Sequence, residues 1–271
     1  MRFGIVAKPE IDDRGIELIK TLIGQIRKAK EEFFLEECLG KKIGIEGLPL
    51  RKLDVDILIT FGGDGTILRS LQECNSKIFG INAGIMGFLT EVEPNQALVG
   101  LRRILAGDYE VEKRIKLKVV FNGKRQADAT NDVVMHTSTI SELRHFEIFV
   151  DDAIAQKIRA DGVIVATPTG STGYAMSVGG PLIDPRVKSF VIAPIAPYTT
   201  SAKPMIVPSK AKIEIRITDK KSSVMIIDGG CKTKVGFGDI LSFTESEKNA
   251  EFVRLEANFY EKMKEKMSKR V

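Results

Sequence analysis

An apolar run, a glycine-rich bend and a helical stretch follow one another without a spacer at residues 56–74, and few folds accommodate that order. Asp56 to Phe61 (DILITF) is apolar enough for a strand covered on both faces. Gly62-Gly63-Asp64-Gly65-Thr66 follows directly, and Thr66 to Cys74 has the spacing of an amphipathic helix. The same alternation fills the first hundred residues. Arg2 to Ala7 (RFGIVA) reads as a strand, and Ile11 to Lys28 carries Ile16, Ile19, Leu22, Ile23 and Ile26 at helical intervals. Phe33 to Leu35 suits a second strand, Gly40 to Leu50 a glycine-rich loop, and Lys77 to Asn82 (KIFGIN) a further strand. Strand, helix, strand in this order implies right-handed crossovers and a parallel sheet.

The pattern changes after about Asp108. Lys116 to Phe121 (KLKVVF) runs into Asn122-Gly123, a strong hairpin signal. His145 to Val150 (HFEIFV) meets Asp151-Asp152 and then another run. Lys212 to Ile217 (KIEIRI) alternates with period two and turns at Asp219-Lys220-Lys221 into Ser223 to Ile227 (SVMII). Short strands with turn signals at this interval indicate an antiparallel sandwich. At 271 residues the chain has room for one large or two modest domains. The expected plan is an α/β domain over 1–107 and an all-β, sandwich-like domain over 108–256. Ala257 to Lys269 is helical again, and a helix over 257–271 is expected to pack back on the first domain.

Composition narrows the function. The longest apolar runs fall well short of the roughly 20 residues a membrane helix needs. No basic-then-apolar leader stands at Met1, so a cytoplasmic protein is expected. Cys38, Cys74 and Cys231 are far apart and form no CxxC pair, which suits a reducing compartment and argues against a zinc site. His136 and His145 are the only histidines, poor material for a His-ligated metal centre. Lys and Arg total 41 against 36 acids, a net charge of +5. The excess is scattered, apart from the run Lys262 to Arg270, which reads as basic residues at a helix C-terminus. The expected partners are small molecules, with neither nucleic acid nor membrane.

Two segments carry chemistry. In Gly62 to Thr66 the glycines free the backbone and admit a phosphate, while the helix start offers N–H donors to an anion. Asp64 would repel that anion. Its presence makes sense if it holds a magnesium ion or accepts a hydrogen bond from a hydroxyl about to attack phosphorus. The lysine of a Walker loop is absent, and so is the GxGxxG fingerprint. The second segment, Asp161 to Pro181 (DGVIVATPTGSTGYAMSVGGP), surrounds five glycines with hydroxyl side chains and one tyrosine. It supplies donors for phosphate and ribose and a ring for a base. Asn131-Asp132 is either a ribose clamp or a plain turn, and Asp228-Gly229-Gly230 reads as a turn.

GGDGT at 62–66, Asn131-Asp132 and the run 161–181 together resemble the NAD kinases, of archaeal type. NAGIMGFLTEV (82–92), IAPYTTSAKPMIVP (195–208) and IDGG (227–230) extend the resemblance over nearly the whole chain. The GGDGT loop alone is shared with lipid kinases of the diacylglycerol class and with phosphofructokinases, whereas TPTGSTGYAMSVGGP is specific. The resemblance implies an N-terminal α/β and a C-terminal β-sandwich-like domain (the NAD kinase and diacylglycerol kinase-like plan). It implies phosphoryl transfer from ATP, or from polyphosphate, to the adenosine-ribose 2′-hydroxyl of NAD. It also implies a divalent metal (Mg²⁺ or Mn²⁺), with ligands unassigned, and a homodimer or homotetramer.

Carried over by position, Asp64 is the catalytic aspartate at the 2′-hydroxyl, and Gly62, Gly63, Gly65 and Thr66 border the donor phosphates. Asn131 and Asp132 match the pair on the adenosine portion of NAD. Gly65, Phe88, Asp161, Thr172, Tyr174 and Ser177 match dinucleotide contacts, and Arg159, just before the loop, is expected to contribute. Asp132 stands where many members have Glu, Lys203 where Arg is common, and Gly230 where Gln is common. Two other readings share parts of this pattern: a lipid kinase, and a non-catalytic dinucleotide sensor.

Overall fold

Five parallel strands support the Asp64 loop. The computed structural model describes residues 1–84, 87–139, 142–256 and 259–268, the side chains of 231 and 266–268 excepted. They divide into two units, Met1–Lys113 with Ala250–Val271, and Arg114–Asn249.

The first unit runs β1 (Arg2–Ala7), α1 (Asp13–Lys28), β2 (Glu32–Glu36), α2 (Glu37–Ile43), β3 (Gly47–Leu48), β4 (Ile57–Gly62), α3 (Asp64–Glu73), β5 (Lys77–Asn82) and α4 (Ala97–Leu105). The strands lie in the order β3-β2-β1-β4-β5, all parallel. Phe3, Ile5, Ile57, Ile59 and Phe79 pack on one face against Ile19, Leu22 and Ile26 of α1 and Leu101 and Ile104 of α4. Val6, Leu58 and Ile78 pack on the other against Ile67, Leu68 and Leu71 of α3. Cover on both faces is why these strands read as unbroken apolar runs. Strand order reverses at β1, with β2 on one side and β4 on the other. Such a switch point opens a crevice at the carboxyl ends of its strands, and the Asp64 loop leaves β4 there.

Two local expectations are corrected. Gly40 to Leu50 is not a bare loop. It contains the end of α2, capped by Gly44 at φ +72°, and the short strand β3. Glu36 starts that helix by accepting from Leu39 N at 3.3 Å. Gly40 is a packing residue, since a Cβ there would stand 2.6 Å from Ile45 O. Second, α3 begins at Asp64 rather than Thr66, which places a carboxylate in the first turn, where the helix dipole favours it.

The second unit holds β6 (Glu110–Phe121) from Arg114 onward, β7 (Lys124–Arg125), β8 (Asp132–Thr137), β9 (Arg144–Val150), β10 (Ala153–Ala160), β11 (Gly162–Ala166), α5 (Tyr174–Ser177), β12 (Ser189–Ile195), β13 (Met205–Pro208), β14 (Ile213–Ile217), β15 (Ser223–Ile227), β16 (Cys231–Val235) and the start of β17 (Ile240–Arg254). One sheet runs β10-β9-β14-β17 with β6 beside β17, and the other β13-β12-β11-β8-β15-β16. The second is antiparallel throughout. Phe146, Ile148, Ile213, Ile215, Leu241 and Phe243 of the first sheet share a core with Val133, Met135, Val163, Val165, Phe190 and Met225 of the second. This is the sandwich that the turn spacing implied.

Asn122-Gly123 and Asp151-Asp152 both take left-handed φ values, as two-residue hairpins require. The Asp219–Lys221 turn behaves differently. It joins β14 of one sheet to β15 of the other, so these strands are not partners. Asp219 fixes the crossing by accepting from His145 N at 2.6 Å and Lys221 N at 3.0 Å. Period two shows that a strand has a buried face but not which strand lies beside it.

The last residues of β17 belong to the first unit, where Phe252 pairs in parallel with Ile78 of β5. α6 (Phe259–Ser268) follows. Of the helix expected over 257–271, residues 257–258 and 269–271 lie outside the described residues.

Candidate active site

In the first unit the site begins where β4 ends. Gly62 has no room for a side chain, because a Cβ would lie 2.3 Å from Thr66 Oγ1. At Gly63 and Gly65 the Cβ direction is open space. None of the three has positive φ, so their use here is missing bulk rather than a left-handed turn. Gly63 caps α3 without a side-chain acceptor, leaving first-turn N–H groups for another anion.

Asp64 is held from the opposite side. Its Oδ2 accepts from Phe88 N at 2.9 Å and its Oδ1 from Leu89 N at 3.0 Å. A Cβ on Gly87 would lie 2.0 Å from Asp64 Oδ1, so only glycine admits this approach. Each carboxylate oxygen keeps a further lone pair. Phe88 is buried, with its ring 6.4 Å from that of Phe259. Lys8, just past β1, donates through Nζ to Ala83 O, and Ala83 N donates to Gly62 O at 3.1 Å. That puts a cation beside the loop that lacks a Walker lysine.

In the second unit Asn131-Asp132 stands at the start of β8. Asp228 determines its geometry. Its carboxylate accepts from Thr130 N at 2.8 Å, Asn131 N at 2.8 Å and Asp132 N at 3.1 Å. Asp228-Gly229 is the expected turn, with φ of 46° and 71°. Its side chain does what the sequence reading missed. The available signal was an acid followed by two glycines at a strand end. The 161–181 loop closes on the same backbone. Thr167 N donates to Asn131 O at 2.8 Å, and Thr167 Oγ1 to Thr130 O at 2.5 Å. A Cβ on Gly170 would lie 2.1 Å from Asn131 O. Asn131 Oδ1 is buried without a partner among the described residues.

Asp132 is 7% exposed and shares this pocket with Asp228. Burial, and then the charge on Asp228, push its carboxyl up to about 7. Burial raises Asp228 too, but three N–H donors and the ammonium of Lys116 oppose it. The negative charge therefore rests on Asp228, and Asp132 takes the proton. Lys116 is pulled below the usual amine range by its own burial, against the pull of Asp228 and Asp128.

The remaining candidates are placed less tightly. Thr172 is buried and gives its hydroxyl proton to Thr169 O at 3.0 Å, so it meets a ligand as an acceptor. Tyr174 is 41% exposed and its ring is open to stacking, and Ser177 is exposed on the same short helix. Asp161 precedes β11 and is half-buried. Arg159 is exposed, with its guanidinium 5.2 Å from the centre of the Tyr198 ring. No group of three or more metal-ligating side chains is assembled among the described residues.

Comparison with known proteins agrees along the chain. Residues 20–109 match the family model of the ATP-NAD kinase N-terminal domain, and residues 130–255 that of the C-terminal domain. An NAD kinase of Methanothermobacter thermautotrophicus is 39% identical, over 98% of this chain and 96% of its own. One from Thermoplasma volcanium is 40% identical over 94% and 93%. The crystal structure of an NAD kinase from Archaeoglobus fulgidus in complex with ATP superposes with a TM-score of 0.78 at 29% identity, covering 99% of this chain and 98% of that one. Yeast NADH kinase, solved with NADH, reaches 0.92 at 21% identity over 99% and 87%, a likeness of fold alone. With both halves matched and relatives near 40% identity along their full length, this chain belongs to the NAD kinase family.

Proposed function

We propose that this enzyme transfers the γ-phosphoryl group of ATP, or a phosphoryl group of polyphosphate, to the 2′-hydroxyl of the adenosine ribose of NAD, giving NADP. The observation that carries the reading is Asp64, a carboxylate gripped by two N–H groups at the head of α3 beside uncapped helix donors. Hydroxyl activation and phosphate binding need those two features side by side. The names of its full-length relatives support the acceptor.

The 2′-hydroxyl is far too weak an acid for a carboxylate to ionise beforehand. Asp64 orients it through a free lone pair and takes the proton late, as the O–P bond forms. Gly62, Gly63, Gly65 and Thr66 border the donor phosphates, whose charge the first-turn N–H groups of α3 offset. Asn131 and Asp132 hold the adenosine ribose, and Phe88, Arg159, Asp161, Thr172, Tyr174 and Ser177 line the rest of the dinucleotide. On this reading residues 1–107 carry the phosphoryl chemistry and 108–256 bind NAD. Mg²⁺ or Mn²⁺ enters on the donor's phosphates as part of that substrate, which needs few protein ligands. The enzyme works in the cytoplasm as a homodimer or homotetramer. The free thiols of Cys38 and Cys74 and the exposed Ile154 and Ile206 on edge strands β10 and β13 support that. No described helix is long and apolar enough to cross a membrane.

The test is NADP formation from NAD, ATP and Mg²⁺, read with an NADP-specific dehydrogenase, with Asp64→Asn alongside. Asp64→Asn is expected to lower kcat by about 10²-fold or more while NAD affinity is largely kept. A variant with near-normal turnover would remove Asp64 from the chemistry. NADP formed only with polyphosphate would revise the donor. Phosphorylation of a lipid in place of NAD would revise the acceptor.

A further inference from the structure

The turn that grips Asp64 is itself gripped from the far end of the chain, by a side chain the sequence reading did not single out. The side chain of Glu91 is 2% exposed, and four donors converge on its carboxylate. Oε1 accepts from Leu255 N at 2.8 Å and Glu256 N at 3.2 Å. Oε2 accepts from Arg254 Nη1 at 2.9 Å and Lys262 Nζ at 3.2 Å. The same two cations reach the backbone of the turn. Arg254 Nη1 donates to Leu89 O at 3.2 Å, and Lys262 Nζ to Thr90 O at 2.7 Å. Glu112 fixes Arg254 from behind, accepting from Nε at 2.6 Å. Residues 89, 90 and 91 are thus each tied to Arg254 or Lys262, next to the two N–H groups that hold Asp64.

Stability alone does not account for this arrangement. Burying several charges together costs desolvation that their attraction roughly repays, and apolar side chains of similar volume often stabilise as well or better. What apolar packing does not supply is direction. Fixed charge-assisted bonds hold a peptide plane at a set angle, and the angle of the 88 and 89 peptides sets where the oxygens of Asp64 point.

We infer that Glu91, with Arg254 and Lys262, is a positioning group for Asp64, locking the 88–91 turn so that its N–H groups aim the carboxylate. The inference rests on the role proposed above for Asp64. It makes the C-terminal segment a working part of the phosphoryl-transfer site, acting through the turn it holds.

Lys262 gives the cleanest test, because its side chain is a quarter exposed and its removal leaves the Glu91–Arg254 pair standing. Full-length wild type, Lys262→Met, Lys262→Arg and Asp64→Asn would be compared for kcat, KM for each substrate and Tm. Amide exchange at Phe88 and Leu89 would be followed in each. Lys262→Met is expected to lose about 10- to 100-fold in kcat, as sub-ångström misplacement of a catalytic group does, with both KM values within about two-fold. Exchange at 88 and 89 should quicken, and Lys262→Arg should restore most of the rate. Glu91→Gln should repeat the kcat loss with a larger fall in Tm. If Lys262→Met keeps wild-type kcat while Asp64→Asn is inactive, the positioning role is wrong and the reading of Asp64 stands. If wild type forms no NADP, that reading falls and takes this inference with it.

Discussion

Asp132 and Asp228 make the plainest prediction at the scale of single residues. Asp132 titrates at about 7 in the native protein against an ordinary 3.8, because burial and a neighbouring carboxylate disfavour its charge. Between those values the unfolded chain has released a proton that the folded one keeps. Unfolding then releases a proton, so stability falls as pH rises through that window and levels off above it. The loss is on the order of 1–4 kcal/mol. Asp132→Asn removes it, so the variant should lose less Tm than wild type between about pH 5 and pH 7.5. Parallel curves for the two proteins would show that Asp132 does not carry the proton. Much of the site could be read at this scale, since Asp64 is conspicuous as an acid in a phosphate loop. Asp228 and Glu91 were not legible. Each acts by accepting from N–H groups far along the chain, and nothing in the local sequence announces a long-range acceptor.

Among elements, the loop after β11 acts as a splint for the turn before β8. Gly170 is the point of closest approach. A Cβ there would meet Asn131 O at 2.1 Å, Asn131 C at 2.5 Å and Asn131 Cα at 2.9 Å, all of them backbone atoms that cannot swing aside. Gly170→Ala should therefore displace Asn131, cost about 1–3 kcal/mol of stability and raise KM for NAD more than KM for ATP. Unchanged Tm and KM would mean the loop yields instead. In the first unit β1, α1, β2, β4, α3 and β5 were legible because these strands are covered on both faces and these helices on one, so period and composition agree, whereas α2, β3 and α4 were not. Strand partnership in the second unit was not, as β14 and β15 illustrate. KIEIRI and SVMII are separated by a good turn sequence, yet Asp219 turns the chain across to the other sheet. Gly40 misled for a related reason, since a glycine chosen for close packing looks the same as one chosen for a bend.

For the molecule as a whole, the telling feature is that the first unit is assembled from both ends of the sequence. Phe252 is fully buried on the α3 face of its sheet, among Leu58, Ile67 and Ile78, and pairs with Ile78 in the strand ladder. Phe252→Ala should cost about 3–5 kcal/mol and lower the melting transition of the first unit. Calorimetry would detect it, and a Tm within a degree of wild type would show that β17 is not integral to that core. The order of synthesis gives this a consequence. A ribosome delivers residues 1–113, then all of 114–249, and only afterwards the stretch that closes the first sheet beside β5. The half that is made first therefore waits, with an apolar edge uncovered, for the half made second to clear the exit tunnel. Synonymous codons that slow elongation near residue 250 would lengthen that wait and fall hardest on the yield of soluble protein.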